Sequence, residues 1–564
     1  MLSRRLKLLR VLVALAMAAG LTAAMVDFRG AFPPRVGHWL ASAQFVPSAV
    51  ALATGASLAL GAVIILAVTL AAGRVYCSAI CPLGILQDVI ARVASWLPGR
   101  KPPHRRYAPP MNRLRQIVLA VAVAGVIAGW VGWTLAAFDP YSNFGRIASE
   151  VFRPVLTLAN NAIVGPANAL GLTRLYRVEP HWAGAWVLHE PVLLLVLLIV
   201  LVVWRGRLYC NTLCPVGTLL GWVARVSAFR LELDKNACTK CAACLRICKA
   251  QCIELRTGAI DVSRCVSCYD CIGACDHGGI GHRFAWRRRP APAAQLPDAT
   301  PSGRNDAVES RAASPNPAVG ANGAGSPPPP QGVEGQGDSA VPRRAFLAAA
   351  AVAATLGASG RLRAGPPLQP EPDADPDNHS FVLCPPGSGS IDQFLNRCTA
   401  CQLCVSACPT HVLQPTWADY GLAGIMKPRM DYSTAFCNYE CRICGEVCPS
   451  GAITLLALAD KQLTQIGEAH FDEKKCIVAV KGTDCAACSE HCPTKAVFTT
   501  PYGDNLRLPK VNRDLCIGCG ACEYACPVLP DKAIKVAGRR RHGRAQKPVA
   551  QKSATPAPAG DFPF

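Results

Sequence analysis

Residues 238–248 read Cys238-Thr239-Lys240-Cys241-Ala242-Ala243-Cys244-Leu245-Arg246-Ile247-Cys248, four thiols in one tight C-x2-C-x2-C-x3-C run. The same spacing returns at Cys265, Cys268, Cys271, Cys275, at Cys398, Cys401, Cys404, Cys408, and at Cys516, Cys519, Cys522, Cys526. Two further groups lengthen only the first gap: Cys437, Cys441, Cys444, Cys448 and Cys476, Cys485, Cys488, Cys492. Three thiols so closely spaced reach three corners of a cubane cluster, while the fourth cysteine points to a neighbouring cluster. Groups therefore work in pairs, and six groups predict six 4Fe–4S clusters, or about 24 iron atoms, with all these cysteines as iron ligands. Zinc favours separated two-thiol knuckles, and disulfides do not need this regularity.

Around these runs the chain is long and apolar. It has 564 residues, 30 cysteines, 17% charged residues, a net charge of +21 and a mean hydropathy of +0.23. That balance excludes a disordered chain, an ordinary soluble protein and a small disulfide-stapled scaffold. The basic excess lies beside apolar stretches and in tails, without basic–aromatic interleaving, so no nucleic acid is expected. Four apolar stretches, Val11–Val26, Phe45–Gly73, Gln116–Phe138 and Val187–Trp204, are each expected to cross a membrane as one helix. The first also admits a signal-peptide reading. Arg74, Arg92, Arg100, Lys101, Arg105, Arg106, Arg113 and Arg115 fill the loop between the second and third stretches. The positive-inside rule then puts both ends of a four-span module in the cytoplasm.

The chain is expected to divide accordingly. Residues 1–235 form the membrane module, 236–285 a two-cluster block, and 286–342 a Pro/Ala/Gly linker unable to bury a core. Residues 343–365 open with Arg343-Arg344-Ala345-Phe346-Leu347 before an Ala/Val/Leu run, either a twin-arginine-like export signal or a fifth span. Cleavage after Ala364 would release the second cysteine-rich block as a separate polypeptide. That four-cluster block fills 366–538, and 539–564 forms a solvated, mobile basic tail with Arg539, Arg540, Arg541 and Arg544.

A second repeat lies in the membrane module. Gly73-Arg74-Val75-Tyr76-Cys77-Ser78-Ala79-Ile80-Cys81-Pro82-Leu83-Gly84 matches Gly206-Arg207-Leu208-Tyr209-Cys210-Asn211-Thr212-Leu213-Cys214-Pro215-Val216-Gly217. Each copy comes just after an apolar stretch, so the module is expected to be two related halves with the motifs side by side. Two readings stand for Cys77, Cys81, Cys210 and Cys214. They hold a metal together, or they form a structural or redox-active thiol motif that docks the first cluster block. Cys252 and Cys384 stand alone as bystanders.

Both cysteine blocks resemble bacterial-type ferredoxins, with Lys249 and Asp276 replacing the proline that normally follows a fourth cysteine. The fold implied is an α-helical membrane domain of four spans, or five, joined to α+β ferredoxin domains. Residues 1–285, with both C-x3-C-P motifs, resemble the NapH family, the membrane component of a quinol dehydrogenase. Residues 343–537 resemble the NapG/MauM-type four-cluster ferredoxins, so the chain looks like a fusion of the two. In the second block the resemblance implies pairing of the first group with the fourth and the second with the third. It further implies a multi-pass protein of the bacterial inner (cytoplasmic) membrane that takes electrons from the quinone pool. The electrons would pass through 4Fe–4S clusters to a periplasmic reductase, such as nitrate reductase, or to its electron carrier. The first block would be cytoplasmic and the second periplasmic. The alternative is a membrane-anchored ferredoxin for reductive maturation or assembly of another metalloenzyme. No C-x-x-C-H, spaced histidine pair or glycine-rich dinucleotide loop appears, so no haem, flavin or NAD site is expected. His189 and Glu190 are candidates for quinol deprotonation, with His38 and His181 behind them; the alternative is a polar helix start before Pro191.

Overall fold

The computed structural model describes residues 2–55, 60–96, 106–128, 131–169, 171, 176–180, 184–286, 382–417, 419–503 and 505–547. The linker, the Arg343-Arg344 segment and residues 548–564 lie outside them. The first part of the chain is helical: α1 (Leu2–Val26), α2 (Pro34–Ser42), α3 (Phe45–Ala53), α4 (Leu60–Ala72), α5 (Tyr76–Ala79), α6 (Pro82–Trp96) and α7 (Asn112–Ile127). Then come α8 (Val131–Phe138), α9 (Pro140–Ile147), a π-helical turn (Ala148–Phe152), α10 (Arg153–Ala169), α11 (Ala185–Arg205), α12 (Leu208–Thr212) and α13 (Pro215–Ala224).

Among the described residues two helical stretches, Arg5–Val26 and Val187–Arg205, are long and apolar enough to cross a membrane. Both turn apolar side chains outward, among them Leu8, Leu12 and Leu15, and Leu193, Val196 and Val200. The single spans expected at 45–73 and 116–138 are instead pairs of short helices, α3 with α4 and α7 with α8, packed on each other. Thr54 and Gly55 close α3. The Thr54 hydroxyl donates to the Val50 carbonyl at 3.0 Å, and Gly55 takes φ +74°, the left-handed conformation that ends helices. Ser48 Oγ then accepts the Ala62 N–H at 2.8 Å across the two helices. In the other pair a Cβ on Gly125 would collide with Thr134 Oγ1, so small residues let these backbones approach. Hydropathy alone does not separate such a hairpin from one straight span.

The two halves exchange partners. α6, which follows the first C-x3-C-P motif, packs on α11, which leads into the second. α13, which follows the second motif, packs on α4, which leads into the first. The motifs are thereby enclosed together in the core.

Each cysteine block is built from two-stranded antiparallel sheets. In the first, β1 (Phe229–Leu233) pairs with β4 (Ile280–Phe284), and β2 (Ile253–Glu254) with β3 (Ala259–Ile260). In the second, β5 (Leu413–Pro415) pairs with β6 (Pro428–Met430), β7 (Thr464–Phe471) with β10 (Ile534–Arg544), and β8 (Val497–Tyr502) with β9 (Leu506–Val511). Part of the basic tail expected to be mobile is thus strand. β10 resumes its register beyond a bulge between Gly538 and Gly543, and Arg539, Arg540 and Arg544 reach Glu468, Asp392 and Asp460. Acidic partners from distant segments, invisible to local composition, order it.

The two blocks sit at opposite ends of α1. Lys7 pairs with Asp270 of the first block at 2.9 Å. Met25 lies in the core shared with Cys401 and Leu403 of the second. Eighteen residues separate Lys7 from Met25, about 27 Å of helix.

Candidate metal centres

In all four loops of undeviated spacing, the residues flanking the second cysteine are left-handed: Lys240 and Ala242, Ser267 and Tyr269, Ala400 and Gln402, Gly518 and Gly520. Six of these eight are not glycine, and each such residue costs on the order of 1 kcal/mol. The strain aims backbone N–H groups at sulfur. Cys265 accepts from Ser267 and Cys268 from Asp270, Cys398 from Ala400 and Cys401 from Leu403, Cys516 from Gly518 and Cys519 from Ala521. Burial pushes the Cys398 thiol up to about 11 and the Cys401 and Cys488 thiols up to about 12. Thiols held this dry ionise only against bound metal, and the converging N–H donors suit the anionic sulfurs that result. The Tyr141 hydroxyl is buried beside Cys401 with no nitrogen or oxygen partner, a donor also left for sulfur. On these observations the loops fit iron–sulfur clusters.

The fourth cysteines cross over. Cys275 lines one cavity with Cys238, Cys241 and Cys244, while Cys248 joins Cys265, Cys268 and Cys271. In the second block Cys408 lines a cavity with Cys437, Cys441 and Cys444, and Cys448 joins Cys398, Cys401 and Cys404. Cys526 joins Cys476, Cys485 and Cys488, and Cys492 joins Cys516, Cys519 and Cys522. The pairing is therefore first with second and third with fourth, against the implied first with fourth and second with third. The short β5–β6 and β8–β9 hairpins bring loops adjacent in sequence face to face. The two pairs then meet where the Cys437 N–H donates to the Cys519 carbonyl at 3.0 Å.

The first block is clamped to the helices through the residue that replaces proline. The Lys249 carbonyl accepts the Arg207 N–H at 3.1 Å, and its ammonium pairs with Asp88 at 3.1 Å and Asp270 at 3.2 Å. Asp88 also pairs with the Arg207 guanidinium at 2.8 Å. Burial alone would push the Asp88 carboxyl up, but Arg207 and Lys249 hold it at about 2. Cys252, expected to stand alone, is buried 3.7 Å from Cys248, beside Cys265. Cys384 contacts His542 Nε2 at 3.1 Å.

The second block is seated on α9, all eight residues of which are buried. A Cβ on Gly145 would collide with the Cys401 carbonyl, so only glycine admits this approach. Asp139 caps α9, accepting from the Tyr141 and Ser142 N–H groups at 3.1 and 3.2 Å. Beyond α9 comes Glu150, buried in the π-helical turn, where burial raises its carboxyl to about 7 despite Arg153. Arg153 in turn contacts His411 of the second block at 3.5 Å. Sequence reasoning missed Glu150, because a π-turn, a frequent companion of functional sites, leaves no pattern in composition. Of the expected quinol candidates, Glu190 is held by buried Arg146 at 3.2 Å, His189 is exposed, and His38 is partly buried beside Val447. His181 lies outside the described residues.

Comparison with known proteins bears on both parts. A family model described as a 4Fe-4S binding domain matches residues 54–103 and 187–233, enclosing one C-x3-C-P motif each time and stopping before Cys238. A second model with the same description matches 394–414 and 509–529. Over 169 residues the chain is 33% identical to the methylamine utilization ferredoxin-type protein MauM of Methylobacillus flagellatus, covering 28% of this chain and 69% of MauM. Over 170 residues it is 33% identical to the ferredoxin-type protein NapG of Escherichia coli, covering 27% of this chain and 69% of NapG. The ferredoxin-type protein NapF of Escherichia coli is 29% identical over 144 residues, covering 26% of this chain and 79% of NapF. No solved structure matches. The chain is an iron–sulfur electron-transfer protein, and through a segment spanning more than two thirds of MauM and NapG it belongs to the family of ferredoxin-type proteins they represent.

Proposed function

We propose that the chain conducts electrons from the quinol pool, through six 4Fe–4S clusters held by the 24 ferredoxin-loop cysteines, to a periplasmic reductase or its carrier. The 4Fe–4S groups supply one-electron redox chemistry. The observation that carries this reading is the placement of two cysteine blocks at the two ends of one apolar helix, about 27 Å apart. That distance suits a bilayer core of about 30 Å, with α1 and α11 facing lipid. The first block then faces the cytoplasm and the second the periplasm, as in a NapH-like module fused to a NapG/MauM-type ferredoxin. The twin-arginine-like segment at 343–365 would export the second block already folded.

Loss of electrons from a quinol also releases protons, and Glu150 is placed to take one. It is a buried carboxyl ionising near neutrality, lying in the chain between Gly145, which meets the Cys401 carbonyl, and Arg153, which contacts His411 of the second block. The test is quinol-dependent bleaching of the cluster absorbance in membranes holding the full chain. Reduction is expected in the wild type, rising as pH increases through about 7 while the carboxylate forms. Glu150→Gln is expected to lower that rate by about 100-fold and to leave reduction by dithionite intact. Clusters that dithionite reduces and quinol never does would overturn the quinol reading and favour the assembly ferredoxin.

A further inference from the structure

The C-x3-C-P motifs are the one chemical repeat that the ferredoxin loops do not absorb, and the fold brings both copies to one buried place. Cys77, Cys81, Cys210 and Cys214 are all buried. The two halves contribute symmetrically. Arg74 of the first motif donates to the Cys210 carbonyl of the second at 3.2 Å, and Arg207 of the second donates to the Cys77 carbonyl of the first. A Cβ on Gly84 would collide with the Cys77 carbonyl, and one on Gly217 with the Cys210 carbonyl. The second cysteine of each pair precedes α6 or α13, where its sulfur accepts an N–H from Gly84 or from Gly217. Gln87 Nε2 donates to Cys210 Sγ at 3.1 Å. Such donors strengthen most when the sulfur they face is an anionic metal ligand.

Charge points the same way. Arg207 is neutralised by Asp88, but Arg74 has no carboxylate in ion-pair reach among the described residues. It is fully buried, holds Asn211 Oδ1 at 3.0 Å and the Ser263 carbonyl at 2.8 Å, and lies 3.7 Å from Cys77 Sγ. Its Nε has no partner. A guanidinium so placed costs several kcal/mol unless an anion faces it. Among the described residues, no three His, Cys, Asp or Glu side chains close on a lone ion, in this site or in any ferredoxin loop. Cys77, Cys210 and Cys214 nonetheless surround Cys81, so the four thiols share one buried place in the core.

We propose that Cys77, Cys81, Cys210 and Cys214 together hold one further iron–sulfur centre, shared between the two halves, that relays electrons between the two ferredoxin blocks. The inference rests on the electron-transfer reading above but not on quinol as the donor. On one side Arg74 reaches Ser263, two residues from Cys265, and Ser267 donates to the Ala72 carbonyl at 3.2 Å. On the other, the Tyr209 hydroxyl accepts from Asn143 of α9 at 2.9 Å, and Gly145 of the same helix meets Cys401. A single helix, about 10–12 Å across, thus separates the second motif from the second block. An electron leaving the centre held by Cys265, Cys268 and Cys271 oxidises it by one and reduces the four-thiol centre by one. The next hop restores the four-thiol centre and reduces the one held by Cys398, Cys401 and Cys404, with no bond made and no proton moved.

Metal analysis of the purified full chain tests this. The double variant Cys81→Ser/Cys214→Ser is expected to carry about four fewer iron atoms than the wild type, with the resonance signals of the ferredoxin loops retained. Equal iron in a folded variant would overturn the proposal, as would a loss of zinc or copper in place of iron. Where that variant fails to fold, Gln87→Leu decides. It keeps the metal but removes an N–H donor to Cys210 Sγ, so one midpoint potential is expected to move negative while the others stay. A redox titration in which no midpoint moves overturns the proposal. Either failure leaves quinol-dependent reduction of the ferredoxin clusters standing, so the two readings are judged separately.

Discussion

At Lys249 a departure from the ferredoxin pattern is explained by docking. Proline would set the turn after Cys248, whereas lysine keeps the turn and adds an ammonium that bridges Asp88 and Asp270. Asp88 is the hub, since Arg207 and Lys249 both rely on it and Arg10 approaches to 3.7 Å. Asp88→Asn would leave buried Arg207 without its counter-charge, and a loss of about 3 kcal/mol is expected. Thermal unfolding of the full chain and protease cleavage around 225–235 are the measurements. With its carboxyl held at about 2, Asp88 supports the fold fully above the ordinary carboxylate range, and this support is lost progressively as pH falls from that range through about 2. Mild acid therefore should not release the first block. A resistant Asp88→Asn protein would mean that the backbone contacts of Lys249 suffice.

At the scale of elements, the ferredoxin loops were legible because metal geometry dictates a short, fixed spacing of one residue type. Helix continuity was less so. Thr54-Gly55 and the Gly125–Thr134 contact turn two apolar stretches back on themselves, and neither breaks the hydropathy profile. The end of β10 was illegible for a different reason: Arg539 and Arg544 find Glu468 and Asp460 from β7 and its approach, a pairing only the tertiary fold creates. His542 within it donates its N–H to the Gly389 carbonyl at 2.9 Å, so β10 also clasps the start of the second block. Ending the chain after Gly538 removes this clasp, and a loss of about 1–2 kcal/mol is expected. It would be read as a lower melting temperature of the cluster absorbance, and an unchanged melt would return the segment to a passive tail.

On the scale of the whole molecule, the core that holds Met25 and Leu21 also holds Leu403 and Phe394, so the second block is part of the same packed body as α1 and α2. Reporter fusions at Ala285 and after Phe564 are expected to read cytoplasmic and periplasmic respectively. Two cytoplasmic readouts would remove a periplasmic acceptor from the proposed function, whatever the clusters do. The crossed arginines have a consequence of another kind, for biosynthesis. Arg74 is synthesised more than a hundred residues before Cys210, the backbone it will bind. At roughly 5–20 residues per second that interval is on the order of ten seconds. Throughout it the first motif has half a site, an unmatched cation and two open thiols, so loading of the shared centre must await translation of the second. The order of manufacture is thus written into the exchange of partners: helices first, shared centre second.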